Sequence, residues 1–194
     1  MRQRLPSHDI AKRTEWLNIV ATVLKTHFRL PDEALEVFRK TIAADSKFAQ
    51  PYYRIGYIYW DKKNHNEAIQ WLQKALSIQP DHWRATYGLG CVLSDQKKYR
   101  EALIYYQKAV ELNPEDNGSY SNMGHAFSEL GDFDQALWAY EKAVALDPND
   151  SYDRWGLSWI LHKLGREDEA KKEWAMAVKL NPKLAKKNRD TSSK

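Results

Sequence analysis

The 194-residue chain has a single cysteine, Cys91, and no hydrophobic run long enough to cross a bilayer. One cysteine excludes an intrachain disulfide and suits a reducing compartment. A membrane-spanning helix needs about 20 consecutive apolar residues, whereas the apolar stretch from Trp16 to Leu24 is interrupted by Asn18 and Thr22. No small-residue cleavage site follows this stretch, so we interpret it as a helix rather than a signal peptide. We therefore expect a cytoplasmic protein.

Sequence patterns that carry catalytic or metal-binding chemistry are also missing. The chain has no phosphate-cradling glycine loop, no His-Glu-x-x-His and no paired-cysteine spacing. His125 and His162 have no third ligand at a suitable spacing, and no local base motif accompanies Cys91. We therefore predict a protein that is not an enzyme, with no catalytic residues, no metal or other cofactor, and no small-molecule substrate.

Positive charge is concentrated at the two ends of the chain. The formal net charge is +4, but residues 1–14 contribute +3 and residues 183–194 contribute +4, so the residues between them carry −3. Short basic ends are usually solvated, although they can contact nucleic acid or anionic lipid. We do not expect a nucleic-acid or membrane partner, and nucleic-acid binding through the basic ends is kept as the lesser alternative.

A 34-residue period runs through most of the sequence. Prolines recur at this spacing, each after an Asn, Asp or Gln: Pro80, Pro114, Pro148 and Pro182. With the proline as position 32, positions 4, 7, 8 and 11 fall on one face of a first helix, and positions 20, 24, 27 and 28 on one face of a second. A fixed period of this length indicates stacked copies of one helical unit.

Residue size follows the same period. Alanine occupies positions 20 and 27 of all four repeats. Glycine inside a helix costs about 0.5–1 kcal/mol relative to alanine, so we interpret small residues at position 8 as places where two helices approach closely. The large residue at position 24 then fills the space between neighbouring repeats. Position 8 is Gly56, Gly90, Gly124 and Ser158, and position 24 is Leu72, Tyr106, Tyr140 and Trp174.

This pattern resembles the tetratricopeptide repeat family. The third proline-marked repeat carries the resemblance most clearly, with Tyr120-x2-Met123-Gly124-x2-Phe127, then Ala136-x3-Tyr140-x2-Ala143, then Pro148. The resemblance covers residues 49–182 without insertion or deletion. It implies an all-α fold, a right-handed superhelical solenoid of about five antiparallel helix pairs whose first helices line the concave side.

The repeat pattern divides the chain into seven predicted segments. Lys25 at position 11 and Ser46 in place of the proline are departures that fit a terminal repeat without an outer neighbour. Arg154, Glu167 and Lys171 make the last repeat polar, and no full capping helix follows, so either its last helix tolerates exposure or a partner or further segment covers it. The segments are a basic N-terminal arm (1–14), a degenerate repeat (15–48), repeats at 49–82, 83–116, 117–150 and 151–184, and a basic C-terminal tail (185–194).

The resemblance also implies a binding surface, because positions 2, 5, 6, 9, 12 and 13 of the first helix face the concave groove in this family. Tyr and Trp bury large areas at low entropic cost and dominate binding hot spots. Other residues fill the core positions, so these aromatic residues are not needed to build the core. The alternative, that they pack half-buried between neighbouring helices, stays open here. The predicted partner-binding residues are Tyr53, Arg54, Tyr57, Trp60, Arg84, Tyr87, Asn122, His125, Tyr152, Trp155 and Trp159.

Charged residues at the groove positions predict that the groove has a positive side and a negative side. Arg54 and Arg84 lie early in their helices, whereas position 13 is acidic in three repeats, at Asp61, Asp95 and Glu129. Such a surface suits a peptide with apolar anchors and a basic residue over an aromatic face, and a solvated mixed-charge surface is the equal alternative. Chaperone-binding family members hold a C-terminal carboxylate with a Lys and Asn clamp. This chain matches that clamp only at Asn122, so we do not expect it.

The sequence thus predicts a non-catalytic protein–protein interaction module, such as an adaptor, scaffold or assembly factor. It would bind a partner protein or peptide segment in an aromatic-rich concave groove. A regulatory or targeting fragment of a larger protein or enzyme is the main alternative. Trp138 lies at position 22, which is usually polar in the family, and it and the exposed last helix are candidate surfaces for self-association.

Overall fold

The structure, a computed structural model, describes residues 7–27 and 29–185, and this part of the chain contains ten α-helices and no strand. The all-α class and the solenoid of helix pairs are confirmed. Residues 1–6 of the predicted arm and 186–194 of the predicted tail lie outside the described residues. The helices are α1 (Ser7–Thr26), α2 (Pro31–Ala44), α3 (Ala49–Asp61), α4 (His65–Ile78), α5 (Trp83–Asp95), α6 (Tyr99–Leu112), α7 (Asn117–Glu129), α8 (Phe133–Leu146), α9 (Ser151–Lys163) and α10 (Glu167–Leu180).

The chain forms two compact units, Met1–Val92 (unit 1) and Leu93–Lys194 (unit 2), and the boundary lies within α5. In unit 1, α1 packs on α2, α2 on α3, and α3 on α4. In unit 2, α6 packs on α7, α7 on α8, α8 on α9, and α9 on α10, and α7 also contacts α9 directly. Inside each unit, consecutive helices are therefore spatial neighbours.

Each repeat turns between its two helices at one left-handed residue. These residues are 34 apart and have φ between 53° and 79°: Arg29, Lys63, Lys97, Gly131 and Gly165. The next N–H closes the first helix by bonding back five residues, as from Asn64 to the carbonyl of Tyr59 and from Asp132 to that of Phe127, both at 2.9 Å. A side chain in this conformation costs about 1–2 kcal/mol, so the glycine turns are less strained than the lysine turns.

Close approach of the two helices in a repeat depends on glycine. A Cβ atom at Gly56 would lie 2.7 Å from Cγ of Leu72, and one at Gly124 would lie 2.8 Å from the ring of Tyr140. Both contacts join position 8 to position 24 of the same repeat, so the predicted close approach is confirmed in these two repeats. The alanines at positions 20 and 27 are all buried, as that packing requires.

A second glycine holds the position-24 side chain from the next repeat. A Cβ atom at Gly88 would lie 3.1 Å from Leu72, and one at Gly156 would lie 2.6 Å from the ring of Tyr140. Leu72 and Tyr140 are each enclosed by two glycines on successive first helices. Burial raises the pKa of the Tyr140 hydroxyl, because the phenolate would lose its water there. The position of the large residue between neighbouring repeats was predicted from the sequence, whereas the role of the second glycine was not.

Three first helices, α5, α7 and α9, begin with a side-chain cap at position 34 of the preceding repeat, whereas α3 follows Phe48 and begins without one. Asp116 and Asp150 each accept a hydrogen bond from the backbone N–H three residues on, at 2.9 and 3.0 Å. His82 takes the same role in unit 1, where its Nδ1 accepts from the N–H of Ala85 at 3.2 Å. Capping satisfies an N–H that the helix leaves unpaired. Unit 1 therefore has an imidazole where unit 2 has two carboxylates.

Candidate functional site

The eleven predicted binding residues divide between the two units. The unit 1 surface consists of six of them on α3 and α5, and the unit 2 surface consists of five on α7 and α9. The unit 1 surface is Tyr53, Arg54, Tyr57, Trp60, Arg84 and Tyr87, and the unit 2 surface is Asn122, His125, Tyr152, Trp155 and Trp159.

The aromatic side chains of α3 form a continuous row in unit 1. The rings of Tyr53 and Tyr57 meet edge-to-face at 5.9 Å, and those of Tyr57 and Trp60 meet edge-to-face at 5.6 Å. The hydroxyl of Tyr57 donates to the backbone carbonyl of Arg84 at 3.2 Å. The row is therefore fixed to α5 and has a defined geometry before any partner binds.

Tyr53 lies beneath this row rather than on it. It is 3% exposed, and its ring contacts the imidazole of His82 at 4.5 Å between centroids. Burial raises the pKa of its hydroxyl. Tyr57, Trp60 and Tyr87 are half-buried. In unit 1 the aromatics thus act partly as packing between first helices, and Tyr53 supports its neighbours instead of offering area to a partner.

Two arginine side chains lie against the aromatic rings of unit 1. The Arg54 guanidinium is 5.0 Å from the centre of the Tyr53 ring, and the Arg84 guanidinium is 4.2 Å from the centre of the Trp83 ring. Neither forms an ion pair with a carboxylate of the described residues. Arg54 is half-buried, and its Nε is buried without a hydrogen-bond partner there. Trp83, at position 1, was not among the predicted residues.

His82, whose ring contacts Tyr53, was also missed by the sequence prediction. It is buried, and burial lowers the pKa of the imidazole; the positive charges of Arg84 and Arg54 add to this, against a backbone hydrogen bond and the charge of Asp81. The ring is therefore neutral near pH 7 and can accept the capping hydrogen bond. The repeat register contained the signal, since His82 aligns with the helix-capping Asp116 and Asp150.

The aromatics of the unit 2 surface are far more exposed. Tyr152, Trp155 and Trp159 are 60%, 38% and 39% exposed, and their spacing places them along one face of α9. The Trp159 ring meets Phe133 edge-to-face at 6.0 Å, and the Lys163 ammonium lies 5.1 Å from the centre of the Trp159 ring. These contacts orient the indole while leaving more than a third of its surface open.

The two polar members of the unit 2 surface lie on α7. Asn122 is half-buried, and His125 is exposed with its ring 5.8 Å from that of Tyr99. The Tyr99 hydroxyl donates to Oε2 of Glu129 at 3.1 Å, and Nε2 of His125 lies 4.0 Å from Oε1 of the same carboxylate. Glu129 is therefore held by its own unit.

The acidic row at position 13 is also engaged in unit 1. Asp61 forms an ion pair with Lys25 at 2.8 Å. Lys25 thus has a structural partner that explains this departure from the repeat pattern. Because Lys25 offsets the charge of Asp61, the predicted acidic side of the groove is weaker in unit 1 than the residue types indicate.

Unit 2 contains one buried carboxyl group that the sequence did not reveal as special. Asp153 on α9 is 2% exposed, and its Oδ2 accepts from Nδ2 of Asn117 on α7 at 3.4 Å. Burial raises the pKa of Asp153 to about 6, against the lowering effect of a hydrogen bond from Ser121. The signal was available, since position 3 is otherwise small and buried in the proline-marked repeats: Pro51, Ala85 and Ser119.

Depressions of about 380, 550 and 560 Å³ indent the described part of unit 2, and no residue of the unit 2 surface lines any of these. The apolar one, of about 560 Å³, lies between α6 and α7 beside the exposed Ile104. Trp138 is partly exposed, with its ring edge-to-face to Tyr120 at 5.8 Å. Met176 and Leu180 are exposed on α10.

Within residues 7–27 and 29–185, no helix is both long and apolar enough to cross a membrane. No three His, Cys, Asp or Glu side chains in the same ranges are grouped so that they could hold a metal ion.

The repeat pattern matches a known protein family. Two sequence profiles of the tetratricopeptide repeat match the chain, one at residues 47–115 and the other at residues 119–150. Together they span α3 to α8 and part of the flanking turns. No curated protein matches the chain.

Solved structures with the same fold cover most of the chain. MamA from Desulfovibrio magneticus RS-1 (residues 41 to the end) is 22% identical with a TM-score of 0.74, covering 88% of this chain and 96% of its own. A second MamA structure is 26% identical with a TM-score of 0.71, covering 84% and 95%. YrrB, described as a TPR protein with an unusual peptide-binding site, is 26% identical with a TM-score of 0.67, covering 89% and 92%.

Proposed function

The chain belongs to the tetratricopeptide repeat family, and on that premise we propose that it is a non-catalytic protein–protein interaction module. Its role would be that of an adaptor, scaffold or assembly factor. Its first helices would hold segments of a partner protein, on the unit 1 surface and on the unit 2 surface. The peptide-binding site ascribed to YrrB, a relative of the same fold, supports a peptide as the ligand.

The observation that carries the proposal is the exposed aromatic row of α9. Leu157, Ile160 and Leu161 on the same helix are buried and supply its core face. Tyr152, Trp155 and Trp159 are therefore not needed to fill the core, yet they expose large apolar areas. Contiguous exposed aromatics on a folded protein are typical of interaction sites, and Trp and Tyr are the residues that most often dominate binding energy.

The unit 1 surface supports the same function in a different way. Tyr57 and Trp60 are held by ring contacts and by the hydrogen bond to α5. Side chains that are already ordered lose little conformational freedom when a ligand arrives, which favours affinity. We propose that these two half-buried rings form a rigid floor over which an extended segment passes.

A selection experiment with random peptides tests this function while the natural partner is still unidentified. A phage library displaying random linear peptides is panned against the wild-type chain and against Trp155→Ala/Trp159→Ala. Because deleted aromatic anchors typically cost 2 kcal/mol or more in all (about 30-fold), we expect the wild type to enrich a family of peptides that the variant does not retain.

Trp138→Ala is the matched control, since Trp138 has nearly the same exposure as Trp159 but lies on a second helix. It should enrich the same peptides as the wild type, and circular dichroism should show equal helical content in all three proteins. If no peptide is enriched on the wild type, or if the α9 variant enriches the same peptides, the proposed function is wrong at this surface.

Self-association is the second candidate, favoured by the exposure of Trp138 on α8 and of Met176 and Leu180 on α10. Light scattering after size-exclusion chromatography distinguishes it. A dimer of the wild type that becomes a monomer with Trp138→Ala or Met176→Ser would assign these residues to contacts between copies. A monomer in every case would exclude that role.

A further inference from the structure

The two arginines of the unit 1 surface each lie over an aromatic ring, and their charges act on the same two residues. The positive charges of Arg54 and Arg84 both act on the Tyr53 hydroxyl and on the His82 imidazole, and those two rings are 4.5 Å apart. Arg54 is on α3 and Arg84 on the first turn of α5. The Arg54 guanidinium lies over the Tyr53 ring, and the Arg84 guanidinium lies over the ring of Trp83, the residue that follows His82 in the chain. We call Arg54, Arg84 and the rings of Tyr53, His82 and Trp83 the arginine patch.

The negative charge of Asp81 acts on the His82 ring of this patch and raises its pKa, but it is not paired with either arginine. Neither guanidinium forms an ion pair among the described residues. Asp61, the acid on the same face of α3, forms an ion pair with Lys25 instead. The cap of α5 is the neutral His82, whereas α7 and α9 have the carboxylates of Asp116 and Asp150 at that place. Unit 1 thus concentrates positive charge where unit 2 places a negative one.

The geometry of the guanidiniums suits an incoming anion. Contact with the Tyr53 and Trp83 rings holds both groups in place without using an N–H donor in an ion pair. Arg54 is half-buried, and its Nε has no hydrogen-bond partner in the part of the chain that the structure describes. A partly dehydrated guanidinium is stabilised more by an anion than a hydrated one is. The planar fork of donors fits a carboxylate with two parallel hydrogen bonds.

We propose that the arginine patch binds the carboxylate of an Asp or Glu side chain in the partner segment. The segment recognised by this protein is then acidic as well as aromatic or aliphatic. This reverses, for unit 1, the expectation of a basic ligand residue that the position-13 acids favoured. The inference rests on the proposed function, because it names the chemistry of the peptide that the unit 1 surface would hold.

The test extends the peptide selection to Arg54→Gln/Arg84→Gln. Peptides enriched on the wild type should contain Asp or Glu beside their apolar anchors. The affinity of one such peptide is then measured by fluorescence anisotropy together with its Glu→Gln or Asp→Asn analogue. We expect the analogue to bind the wild type at least tenfold more weakly than the acidic peptide does. The arginine variant should bind both peptides with equal affinity, at least tenfold more weakly than the wild type binds the acidic peptide.

Lys142→Gln/Lys171→Gln is the control, because it removes two exposed positive charges from unit 2. It should bind the acidic peptide as the wild type does. Selected peptides without acidic residues, or an arginine variant that still prefers the acidic peptide, would overturn the inference while leaving the proposed function intact. A phosphoserine analogue that binds the wild type more tightly than the Glu peptide would overturn it in favour of a phosphate ligand. Failure to enrich any peptide would instead count against the proposed function.

Discussion

Helices α3 and α9 have aromatic residues at the same repeat positions and use them differently. Position 5 is Tyr53 in α3 and Trp155 in α9, and position 9 is Tyr57 and Trp159. Tyr53 is buried and Tyr57 half-buried, whereas both tryptophans of α9 keep more than a third of their surface exposed. The same pattern of residue types therefore gives a packed row in unit 1 and an open row in unit 2.

The difference arises from the helix that follows. The residues before and within α5 cover α3: the His82 ring lies on Tyr53, and the Arg84 carbonyl accepts from Tyr57. Gly88 lets Tyr57 approach, since a Cβ atom there would lie 2.9 Å from its ring. α9 is the first helix of the last repeat that the structure describes, so no further repeat of the described chain follows it. An aromatic at a groove position is thus packed by a following repeat and exposed where the described repeats end.

The largest expected effect is a difference in stability loss between alanine substitutions at two equivalent glycines, one in each unit. Gly156→Ala places a methyl group 2.6 Å from the buried Tyr140 ring, which cannot move aside, whereas Gly88→Ala meets the half-buried Tyr57 at 2.9 Å. Overpacking a closed core costs about 1–3 kcal/mol. We expect Gly156→Ala to lower the free energy of unfolding by about 3 kcal/mol and Gly88→Ala by about 1. Urea denaturation measures both, and equal losses would contradict the difference in packing.

A pH-dependent effect should arise at Asp153 in unit 2, and it is separable from that of the buried His82 in unit 1 by mutation. Burial raises the pKa of Asp153 from 3.8 to about 6, so the folded protein binds more protons than the unfolded chain between these values. Stability at this site is full below about pH 4 and falls as pH rises through 6. At about 1.4 kcal/mol per pKa unit, the loss is on the order of 2–3 kcal/mol.

Asp153→Asn removes this titration while keeping an oxygen for Asn117 to bond. Relative to the wild type, the variant should become progressively more stable between about pH 4 and pH 7, as measured by urea denaturation at each pH. The equivalent residue in unit 1, Ala85, has no titratable group. A wild type and variant with parallel pH profiles would show that Asp153 titrates normally.

The left-handed turn residues offer a smaller test inside unit 2. Gly131 has φ +79° with open space around it, and Lys97 occupies the equivalent position with φ 60°. Lys97→Gly should raise the free energy of unfolding by up to about 1 kcal/mol, and Gly131→Lys should lower it by about the same amount. Thermal denaturation of the two variants checks the pair, and changes of the same sign would contradict the shared turn geometry.

The smallest effect should come from the ion pair between Lys25 and Asp61. Lys25→Met should lower the free energy of unfolding by less than about 1 kcal/mol, because a partly exposed pair gains little in water. The variant also leaves Asp61 unpaired near the unit 1 surface. Peptides that carry an acidic residue should then bind slightly more weakly at low salt, an effect that added salt removes.

Much of the fold follows from periodicity in the sequence. The 34-residue spacing of prolines, alanines and glycines predicts helix pairs, and the structure places helices α3, α5, α7 and α9 at the first residues of the four proline-marked repeats. Size alternation also predicts the contact of Gly124 with Tyr140. Such features depend on local residue type, which a single chain displays directly.

The electrostatic details do not follow from residue type alone. Asp61 looks like a free groove acid until Lys25 is seen beside it, and Asp153 looks solvated until its burial is known. Both depend on contacts between residues more than 30 positions apart. The role of His82 lies between these cases, because its register with Asp116 and Asp150 was visible but its contact with Tyr53 was not.

The most direct test of the account is the affinity of a wild-type-selected peptide for three proteins. They are the wild type, Trp155→Ala/Trp159→Ala and Trp138→Ala, all of equal helical content. If the open aromatic row of α9 holds the partner, the double variant binds more than tenfold more weakly, a loss of at least about 1.4 kcal/mol, and Trp138→Ala binds as the wild type does. Equal affinity of all three would contradict a binding role for α9.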